Sequence, residues 1–532
     1  MTTCADALIE SLRLRGVDTV FGIPGVHTVA LYRAIAAAGI RHVTPRHEQG
    51  AAFMADGFAR ASGRPGVCAL ISGPGVTNAV TPLAQAFSDS VPVLAVSSVS
   101  RQVELGMGRG TLHELPSQHA LMTQCTAFSH SLTDCAQLDE VVERAFTRFA
   151  TERPRPVHLE VPLDLLDRPA ARPAPPAPAR ARPGADPAAV AAAQALLARS
   201  ARPVLVVGGG AVEAGPAVVA LAERLDAPVV LTVAAKGVVP ADHPLCVGPM
   251  LTRPAAQALV TDADVVLAVG TELGQTDTWL AGRDLPLSGA LIRVDVDPAQ
   301  LTRNARPTVA LVADARLALE ALAATASEEP RPRRDQPGAA RVADVRAAIS
   351  RDTPASAARH LRVLEVLRRV LPPDTVVTGD STQLVYAGNW AFPTSRPRTW
   401  LTSTTGYGTL GYALPAAIGA RAALPDRPVV AIAGDGGLLY TLPELACAVA
   451  EGLPVVVVVW SNDGYAEIRD AMRARQIPPL GTDWPTPDLV TIARGFGAGA
   501  ARPRDAAELE QVLGEALAGT RPYLVEIRES DF

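Results

Sequence analysis

The segment GDGGLLYTLPELACAVAEGLPVVVVVWSNDG, residues 434–464, decides the fold because it predicts one complete strand–helix–strand unit. An apolar run, Val429–Ala433, precedes the glycine turn and predicts a buried strand. Thr441 and Glu444 have the spacing of a capping box, so a helix is predicted to begin there. A second apolar run, Val455–Trp460, predicts the next strand. Parallel strands joined by a helix are therefore expected.

An oxygen-bearing side chain follows each of these strands, a carboxylate at Asp435 and an amide at Asn462. Ligands in open α/β sheets bind outside the carboxyl ends of the strands, so both side chains can converge on one hard cation. Mg²⁺ suits such sparse oxygen ligation, which water and substrate phosphates complete. Taken alone, the glycine turn is equally compatible with an ordinary strand-to-helix turn in which Asp435 binds nothing.

Composition limits the class of protein. The chain has 532 residues, 48% of them apolar, which is enough for three domains of ~150 residues. A net charge of −5 argues against nucleic acid as a partner. Lys236 is the only lysine, so lysine-based covalent catalysis would rest on one residue. The six cysteines form no CxxC pair, and no signal peptide or membrane-spanning run is recognised, so a cytoplasmic protein without a membrane partner is expected.

Along the chain, helical and strand patterns alternate in three blocks, residues 1–170, 187–328 and 345–532. Proline-rich residues 168–178 predict the first linker, and residues 328–337 predict a weaker second one. The predicted fold class is α/β with three doubly wound parallel-sheet domains. Gly208–Gly210 leaves two interpretations open, a dinucleotide site or a strand-to-helix turn; the spacing is not GxGxxG, which favours the turn.

The spacing of Asp435 and Asn462 resembles the thiamine diphosphate motif, in which GDG is followed about two dozen residues later by NN. Ser461 stands where the first Asn of that pair is expected. The resemblance implies thiamine diphosphate anchored through Mg²⁺. Its implied metal ligands are Asp435, Asn462 and the backbone carbonyl of Gly464, and Gly436 and Gly437 are implied to contact the cofactor.

Residues 45–67, PRHEQGAAFMADGFARASGRPGV, resemble the segment of thiamine enzymes that carries the activating glutamate. Glu48 is thereby implied to bind the aminopyrimidine ring of the cofactor and to activate it. The alternative is a carboxylate at a helix start, stabilised by the helix dipole.

Residues 408–412, GTLGY, resemble the loop that holds the pyrimidine in the same enzymes. The resemblance implies that the Gly408 carbonyl accepts from the cofactor and that Leu410 is the apolar wedge that bends it. Residues 381–383 follow another strand and are implied to contact the diphosphate; they are Ser381, Thr382 and Gln383.

Because these motifs occur in order across the three blocks, the chain is identified as a member of the acetolactate synthase-like thiamine diphosphate enzymes. Membership implies a pyrimidine-binding, a middle and a diphosphate-binding domain. It also implies a homodimer or a dimer of dimers (a homotetramer) with active sites between subunits, where Glu48 of one subunit faces Asp435 of the other. The middle domain of such enzymes sometimes binds FAD.

Three stretches are expected at the substrate end of the site. His27 follows the first glycine turn, His113 and Glu114 lie where related decarboxylases carry two histidines, and Glu467 and Asp470 share one helix face. His113 and Glu114 are the further catalytic candidates, and all five residues are substrate candidates. A surface loop and a solvated helix face remain the alternatives for the second and third stretches.

Two or three carboxylates in one pocket suit a planar guanidinium. Together the motifs resemble most the 2-ketoarginine decarboxylase subgroup, which implies non-oxidative decarboxylation of a guanidino 2-oxo acid to the aldehyde and CO₂. Two alternatives stay open. One is a carboligase of acetolactate synthase type, which joins the fragment to a second carbonyl, and the other is a catalytically silent scaffold subunit.

Overall fold

Three six-stranded parallel sheets with interspersed helices make up the protein, which confirms the predicted fold class. The computed structural model describes residues 2–178, 181–280, 285–324 and 336–532. The two apolar runs predicted as strands form strands within one residue of the predicted bounds, Val429–Gly434 and Val456–Ser461.

The first sheet has the strand order β2-β1-β3-β4-β6-β5. Its strands are β1 Thr19–Gly22, β2 Arg41–Val43, β3 Gly66–Leu70, β4 Val93–Val99, β5 Phe128–Ser131 and β6 Val157–Pro162. Its helices are α1 Cys4–Leu14, α2 Val29–Ala37, α3 Glu48–Ser62, α4 Pro74–Asn78, α5 Val80–Ser88, α6 Gln118–Met122, α7 Leu138–Thr151 and α8 Leu163–Leu166.

The second sheet has the order β12-β11-β10-β7-β8-β9, the strand order of dinucleotide-binding folds. Its strands are β7 Pro203–Val207, β8 Val229–Leu231, β9 Cys246–Gly248, β10 Val265–Val269, β11 Ala290–Asp295 and β12 Val309–Val312. The helices of this part of the chain are α9 Pro187–Ala198, α10 Gly215–Leu225, α11 Pro254–Thr261, α12 Gln275–Thr278, α13 Ala315–Ala324, α14 Gly338–Arg351 and α15 Ala358–Val370.

The third sheet has the order β14-β13-β15-β16-β18-β17, which repeats the topology of the first. Its strands are β13 Val376–Gly379, β14 Trp400–Thr402, β15 Val429–Gly434, β16 Val456–Ser461, β17 Gly499–Ala501 and β18 Tyr523–Arg528. Its helices are α16 Gln383–Ala391, α17 Ala413–Ala423, α18 Asp435–Leu438, α19 Glu444–Ala450, α20 Ala466–Ala474, α21 Leu489–Gly495 and α22 Ala506–Ala518.

Two compact units are formed, one of residues 1–180, 375–385 and 401–532, the other of residues 181–374 and 386–400. The first unit holds most of the first and third sheets, and the second holds the middle sheet. The three domain boundaries drawn from the sequence stay a prediction. Residues 328–335 of the second predicted linker lie outside the described residues.

Helices α3 and α17 pack with their backbones in close approach, which joins the first and third sheets of the first unit. A Cβ on Gly57 would lie 2.1 Å from the Ala416 carbonyl oxygen, and one on Gly419 would lie 1.9 Å from the Met54 carbonyl oxygen. Only glycine permits this approach at either position. Glu48 is the first residue of the same helix α3.

In the middle sheet, the glycine run after β7 serves packing. A Cβ on Gly208 would lie 2.3 Å from the Gly270 carbonyl oxygen, so the glycine lets the two strand ends approach each other. The acidic residue nearest the position expected of a ribose ligand, Asp226, caps α10 and accepts from the Gly338 N–H at 3.0 Å. These contacts favour the strand-to-helix turn over the dinucleotide site.

The only lysine is likewise structural. Lys236 is buried, and its Nζ donates to the backbone carbonyls of Gly388, Asn389 and Phe392 at 2.7, 3.1 and 2.7 Å. Five of the six cysteines are buried and the sixth is half-buried; all are free thiols. Within the described ranges, no helix is long and apolar enough to cross a membrane.

Candidate active site

Asp435 is the centre of the predicted metal site and is only 1% exposed. Its Oδ2 accepts from the N–H groups of Asn462 and Gly464, both at 3.3 Å, and from the Thr486 hydroxyl at 2.7 Å. The structure thus brings the three predicted metal ligands together at the ends of β15 and β16. In the described part of the chain no Arg or Lys pairs with this carboxylate, and a buried carboxylate is costly without a cation.

The capping box predicted for the following helix is wrong. Helix α19 begins at Glu444 with Pro443 at its N-cap, and no side chain caps it. The Thr441 hydroxyl donates to the Gly411 carbonyl at 2.9 Å, and the Glu444 carboxylate accepts from the backbone N–H groups of Arg46 and His47 at 3.0 Å. Both side chains have tertiary partners that the local spacing could not reveal.

The glycine turn is packed against polar and aromatic side chains. Asp435 begins the short helix α18 directly after β15. A Cβ on Gly436 would lie 2.7 Å from the Tyr465 ring, and one on Gly437 would lie 2.9 Å from Oδ2 of Asp380. Whether these glycines contact a cofactor stays a prediction.

Asp380, which the sequence interpretation gave no role, joins three of the predicted cofactor segments. Its Oδ1 accepts from the Ser381 N–H at 2.8 Å and its Oδ2 from the Gly411 N–H at 2.7 Å, beside Gly437. Burial raises the pKa of this carboxyl to about 7. The segments after β13 and β15 and the loop before α17 are therefore held by one side chain.

Gln383 links the predicted metal site to the predicted substrate residues. Its Oε1 accepts from the Asn462 amide at 3.3 Å, which leaves the Asn462 Oδ1 free for a metal. Its Nε2 donates to Glu467 at 3.4 Å. Thr382 is buried and Ser381 is half-buried at the same strand end.

The loop that contains Gly408 and Leu410 is fixed by the first-sheet domain. Gln85 on α5 accepts from the Thr409 N–H at 3.1 Å and donates to the Ser403 carbonyl at 3.2 Å. Gly408 has a positive φ of 76° and open space where a Cβ would stand, while Leu410 is half-buried. This backbone is thus open on the side where the resemblance places the pyrimidine.

Glu48 is the first residue of α3 and is half-buried. Asn78 at the end of α4 donates to its Oε2 at 2.9 Å. No described residue donates a hydrogen bond to its Oε1, which lies near Gly75. One carboxylate oxygen is oriented and the other remains available for a proton.

His27 and His113, two of the predicted substrate residues, lie close together. Their rings lie 5.1 Å apart, edge to face, and Nδ1 of His27 lies 2.8 Å from the Ser72 hydroxyl. Burial and then the neighbouring His113 lower the pKa of His27. His113 has a positive φ of 65°, and its buried Nδ1 has no hydrogen-bond partner among the described atoms.

Glu114 holds its own loop. Its carboxylate accepts from the N–H groups of Arg109, Gly110 and Thr111 at 3.3, 2.6 and 3.1 Å. Desolvation works to raise the pKa of this carboxyl, but the backbone donors outweigh it and the pKa is lowered. Its contacts therefore shape the loop that presents His113.

A cavity of about 290 Å³ opens beside His113. Three carboxylates line it, those of Glu104, Glu114 and Glu160, and no Lys or Arg is among its described lining residues. Glu160 is 3% exposed and accepts from the amide of Gln118 at 3.0 Å and the hydroxyl of Ser131 at 2.5 Å. The cavity is therefore acidic, and only Glu114 of the three had been singled out from the sequence.

The other two predicted substrate carboxylates lie on α20 and are exposed. Glu467 faces Gln383, as described above. Asp470 lies 3.6 Å from Arg473 on its own helix. Of the pair, only Glu467 is linked to the predicted metal site through a described contact.

The residues present fit thiamine diphosphate and Mg²⁺. A buried, cation-free carboxylate at Asp435, an amide oxygen and a backbone carbonyl are hard oxygen donors, which is the set Mg²⁺ takes when phosphates and water complete it. No cluster of three or more His, Cys, Asp or Glu residues in the described ranges could hold a metal, in keeping with a site that uses a single carboxylate.

Sequence reasoning missed the residues that support these groups. These supporting residues contact the predicted site residues or their immediate neighbours, but they lie far from them in the chain or follow no motif. They are Thr486, Asn78, Gln85 and Asp380. Only Asp380 gave a usable signal, because an acidic residue at the end of an apolar run is unusual in a buried strand.

Comparison with known proteins shows similarity over nearly the whole chain. Residues 2–122 match the N-terminal TPP binding domain of thiamine pyrophosphate enzymes, residues 190–322 match the central domain, and residues 380–527 match the C-terminal TPP binding domain.

Curated relatives extend this similarity. A protein named "probable 2-ketoarginine decarboxylase" of Pseudomonas aeruginosa is 47% identical over 532 residues, covering 99% of this chain and 94% of that protein. A probable acetolactate synthase large subunit of Methanocaldococcus jannaschii is 33% identical, covering 98% and 91%. The acetolactate synthase isozyme 1 large subunit of Escherichia coli is 31% identical, covering 99% and 94%.

Proposed function

Because the chain belongs to the thiamine pyrophosphate enzyme family, we propose that it decarboxylates a 2-oxo acid with a cationic guanidino side chain. The products are the corresponding aldehyde and CO₂, and no second substrate is needed. The relative named as a 2-ketoarginine decarboxylase supports this choice. When bound, thiamine diphosphate supplies the electron sink for the decarboxylation.

The acid-lined cavity beside His113 is the observation that carries the substrate class. Glu104, Glu114 and Glu160 line it without a described Lys or Arg. Carboxylates in a partly desolvated site bind a guanidinium through charge-assisted, often bidentate hydrogen bonds. Glu467 adds a carboxylate close to Gln383 and the predicted metal ligands. The donors already described to Glu114 and Glu160 are backbone N–H groups, an amide and a hydroxyl, all uncharged, so only a cationic substrate would add a countercharge to this cavity.

The proposed roles combine the contacts described above with those that the family implies. Asp435, Asn462 and the Gly464 carbonyl would hold the metal, while residues 381–383 and the glycines 436 and 437 would hold the diphosphate. Glu48 would hold and release a proton at its free oxygen, and Gly408 and Leu410 would contact the pyrimidine end of the cofactor. Aldehyde formation consumes one proton for each CO₂ released, and His113 would relay it at the substrate end.

Two exposed apolar regions support a homodimer or a dimer of dimers, with active sites between subunits. Val26, Val29 and Leu112 are 73%, 64% and 60% exposed and line one open recess of about 870 Å³. Tyr407 and Tyr440, beside the cofactor loop and the glycine turn, are 56% and 53% exposed. Large apolar side chains exposed close to one another are typical of an interface. The cytoplasmic location expected from the sequence stays a prediction.

Acetolactate synthase-type carboligation is the second candidate, because relatives with that name are 31% and 33% identical to this chain. Incubation with thiamine diphosphate, Mg²⁺ and single 2-oxo acids, followed by CO₂ release and product mass, separates the two. Decarboxylation predicts guanidino aldehyde and CO₂ from 5-guanidino-2-oxopentanoate alone. A product containing two substrate fragments, or turnover of pyruvate in preference, would favour the carboligase. Absence of turnover with every acid would favour the silent scaffold.

Glu160→Gln tests the substrate class within this proposal. The variant removes a buried charge while keeping the side-chain shape. Its kcat/KM for the guanidino acid should fall by about tenfold or more, since a charged hydrogen bond becomes a neutral one. Glu320→Gln, on the exposed face of α13, is the matched control. Equal losses with a neutral 2-oxo acid would show that Glu160 acts through structure and not through charge recognition.

A further inference from the structure

Helix α19 holds the segment that leads into α3 through two carboxylates. Glu444, 1% exposed, accepts from the Arg46 N–H with both oxygens at 3.0 Å and from the His47 N–H at 3.0 Å. Glu451, the residue after the helix, accepts from the Thr44 N–H at 3.1 Å. Glu48 is the next residue after His47 and begins α3.

The spacing of these two carboxylates matches the segment they hold. Glu444 and Glu451 are seven residues apart, which is two helical turns and about 10 Å along the axis, so they lie on one face. The three residue-to-residue steps from Thr44 to His47 span at most about 10 Å of chain. The Arg46 guanidinium adds a contact to the Ala446 carbonyl, in the first turn of the same helix, at 3.3 Å. Residues 44–47 are thus fixed at both ends.

Gly50 shows how close Glu444 comes to the first turn of α3. A Cβ on Gly50 would lie 2.3 Å from Oε1 of Glu444, so only glycine leaves room for the carboxylate. Burial raises the pKa of the Glu444 carboxyl to about 7, against the opposing effect of its backbone donors. Burial of the Glu444 carboxylate therefore costs folding free energy. The contact lies close to Glu48, which has a proposed catalytic role.

We propose that Glu444 is a positioning residue for Glu48: by fixing the backbone of Arg46 and His47, it sets the start of α3 and so the direction of the Glu48 carboxylate. The inference rests on the proposed activation of the cofactor by Glu48. Glu444 is not among the proposed cofactor-binding or substrate-binding residues. It lies on a helix of the third sheet, whereas Glu48 begins a helix of the first sheet. Small displacements of such a group reduce rates strongly, because proton transfer requires hydrogen-bond geometry.

The first measurement does not need the loaded enzyme. Amide hydrogen exchange of the cofactor-free protein is compared for the wild type, Glu444→Gln and Glu444→Ala, with Glu320→Gln as control. We expect faster exchange at residues 44–50 in both Glu444 variants and no change elsewhere in α3 or in the control. Unchanged exchange at residues 44–50 would overturn the inference.

The second measurement is deuterium exchange at the thiazolium C2 of bound thiamine diphosphate, which reports activation without any 2-oxo acid. Glu444→Ala should slow it about tenfold or more while the cofactor Kd and the melting temperature change little. The double variant with Glu48→Gln should be no slower than Glu48→Gln alone, because Glu444 acts through Glu48. Additive losses would mean a general structural effect and would overturn the inference.

Two further outcomes keep this test separate from the proposed function. A wild-type exchange rate in Glu48→Gln would contradict the proposed activation by Glu48 itself. Loss of exchange in Glu48→Gln together with a normal rate in Glu444→Ala would overturn only the positioning role. If the Glu444 variants do not fold, Glu451→Ala removes the acceptor of the Thr44 N–H alone. It should slow C2 exchange about threefold, with the same non-additivity towards Glu48→Gln. A wild-type exchange rate in Glu451→Ala would overturn the inference.

Discussion

Asp435 shows at the scale of one residue how a metal site is prepared before any metal binds. Its Oδ2 gathers two backbone N–H groups from residues 462–464 and the hydroxyl of Thr486. These donors orient the carboxylate and bring the end of β16 towards it. Outer contacts of this kind fix a ligand's direction and tune its affinity for the metal.

Thr486 provides the first prediction. Thr486→Val removes the hydroxyl that donates to Asp435 at 2.7 Å and should weaken Mg²⁺-dependent binding of thiamine diphosphate about 10- to 100-fold, the range seen for outer-shell partners of metal ligands. Thr486→Ser keeps the hydroxyl and is the matched control. Fluorescence titration of the cofactor at fixed Mg²⁺ measures both. Equal Kd values for the Val and Ser variants would show that the hydroxyl does not orient Asp435.

Single residues were predicted from the sequence only where a motif fixes them. Asp435 and Asn462 stand at a recognisable spacing, and the structure brings them together. Glu114 also stood in a recognisable place, but its carboxylate accepts from its own loop, because the nearby glycines let the backbone curl round it. Thr486 lies 24 residues beyond Asn462 with no motif, so only the fold reveals it.

Among the elements, α3, which begins at Glu48, packs closely on α17 at Met54 and Gly57. Gly57→Ala would place a methyl group 2.1 Å from the Ala416 carbonyl oxygen. Because the helices must separate, we expect a loss of about 1–3 kcal/mol, the usual cost of overpacking, seen as a lower melting temperature by calorimetry. Gly514→Ala in α22, with open space around it, is the matched control and should stabilise by up to ~1 kcal/mol. Equal melting temperatures would contradict the close packing.

His158 on β6 provides a prediction about pH. It is buried between the hydroxyls of Ser97 at 2.8 Å and Ser129 at 2.7 Å, and burial lowers its pKa from 6.5 to about 3. Below pH 6.5 the unfolded chain binds a proton at His158 that the folded chain does not. Its stabilising contribution is therefore present above pH 6.5 and is lost as the pH falls towards 3, by ~1.4 kcal/mol per pH unit.

The comparison of the wild type with His158→Gln isolates this effect from the titrating carboxylates. Melting temperatures measured from pH 7.5 to pH 4.5 should show a difference between the two proteins that shrinks as the pH falls. A constant difference across that range would mean that His158 does not titrate in the unfolded chain as proposed.

Strand bounds were predictable because buried parallel strands are continuous apolar runs. The residues at which helices begin were harder to predict. The capping box at Thr441 and Glu444 satisfied a local rule, yet both side chains bond to other elements, Gly411 and the segment before α3. A local motif competes with tertiary partners, and here the tertiary partners prevail.

At the scale of the whole molecule, the first and third sheets share one strand order, and the middle sheet has another. The alternation of patterns in the sequence predicted three parallel sheets. It could not predict that the first and third would lie in one compact unit, because the residues in contact, such as Gly57 and Ala416, are hundreds of positions apart.

Self-association is the prediction at this scale. Apolar residues are exposed around the recess of Val26 and Leu112 and around Tyr440. We expect a second subunit to bury them. Sedimentation equilibrium should therefore give two or four times the chain mass of 55.4 kDa. Val103→Arg, at a residue 74% exposed near the recess, should shift the distribution towards the monomer. A wild-type mass of 55.4 kDa at micromolar concentration would contradict an active site shared between subunits.

Recognition of the substrate guanidinium is tested most directly with two 2-oxo acids that differ in one group. 5-Guanidino-2-oxopentanoate and 5-ureido-2-oxopentanoate have the same length and shape, but only the first is cationic. With thiamine diphosphate and Mg²⁺ present, CO₂ release should show a kcat/KM at least about tenfold higher for the guanidino acid, because a charged partner for the buried Glu160 is worth over 1 kcal/mol. Equal kcat/KM values, or a higher value for the uncharged acid, would contradict recognition of a guanidinium by the acidic cavity.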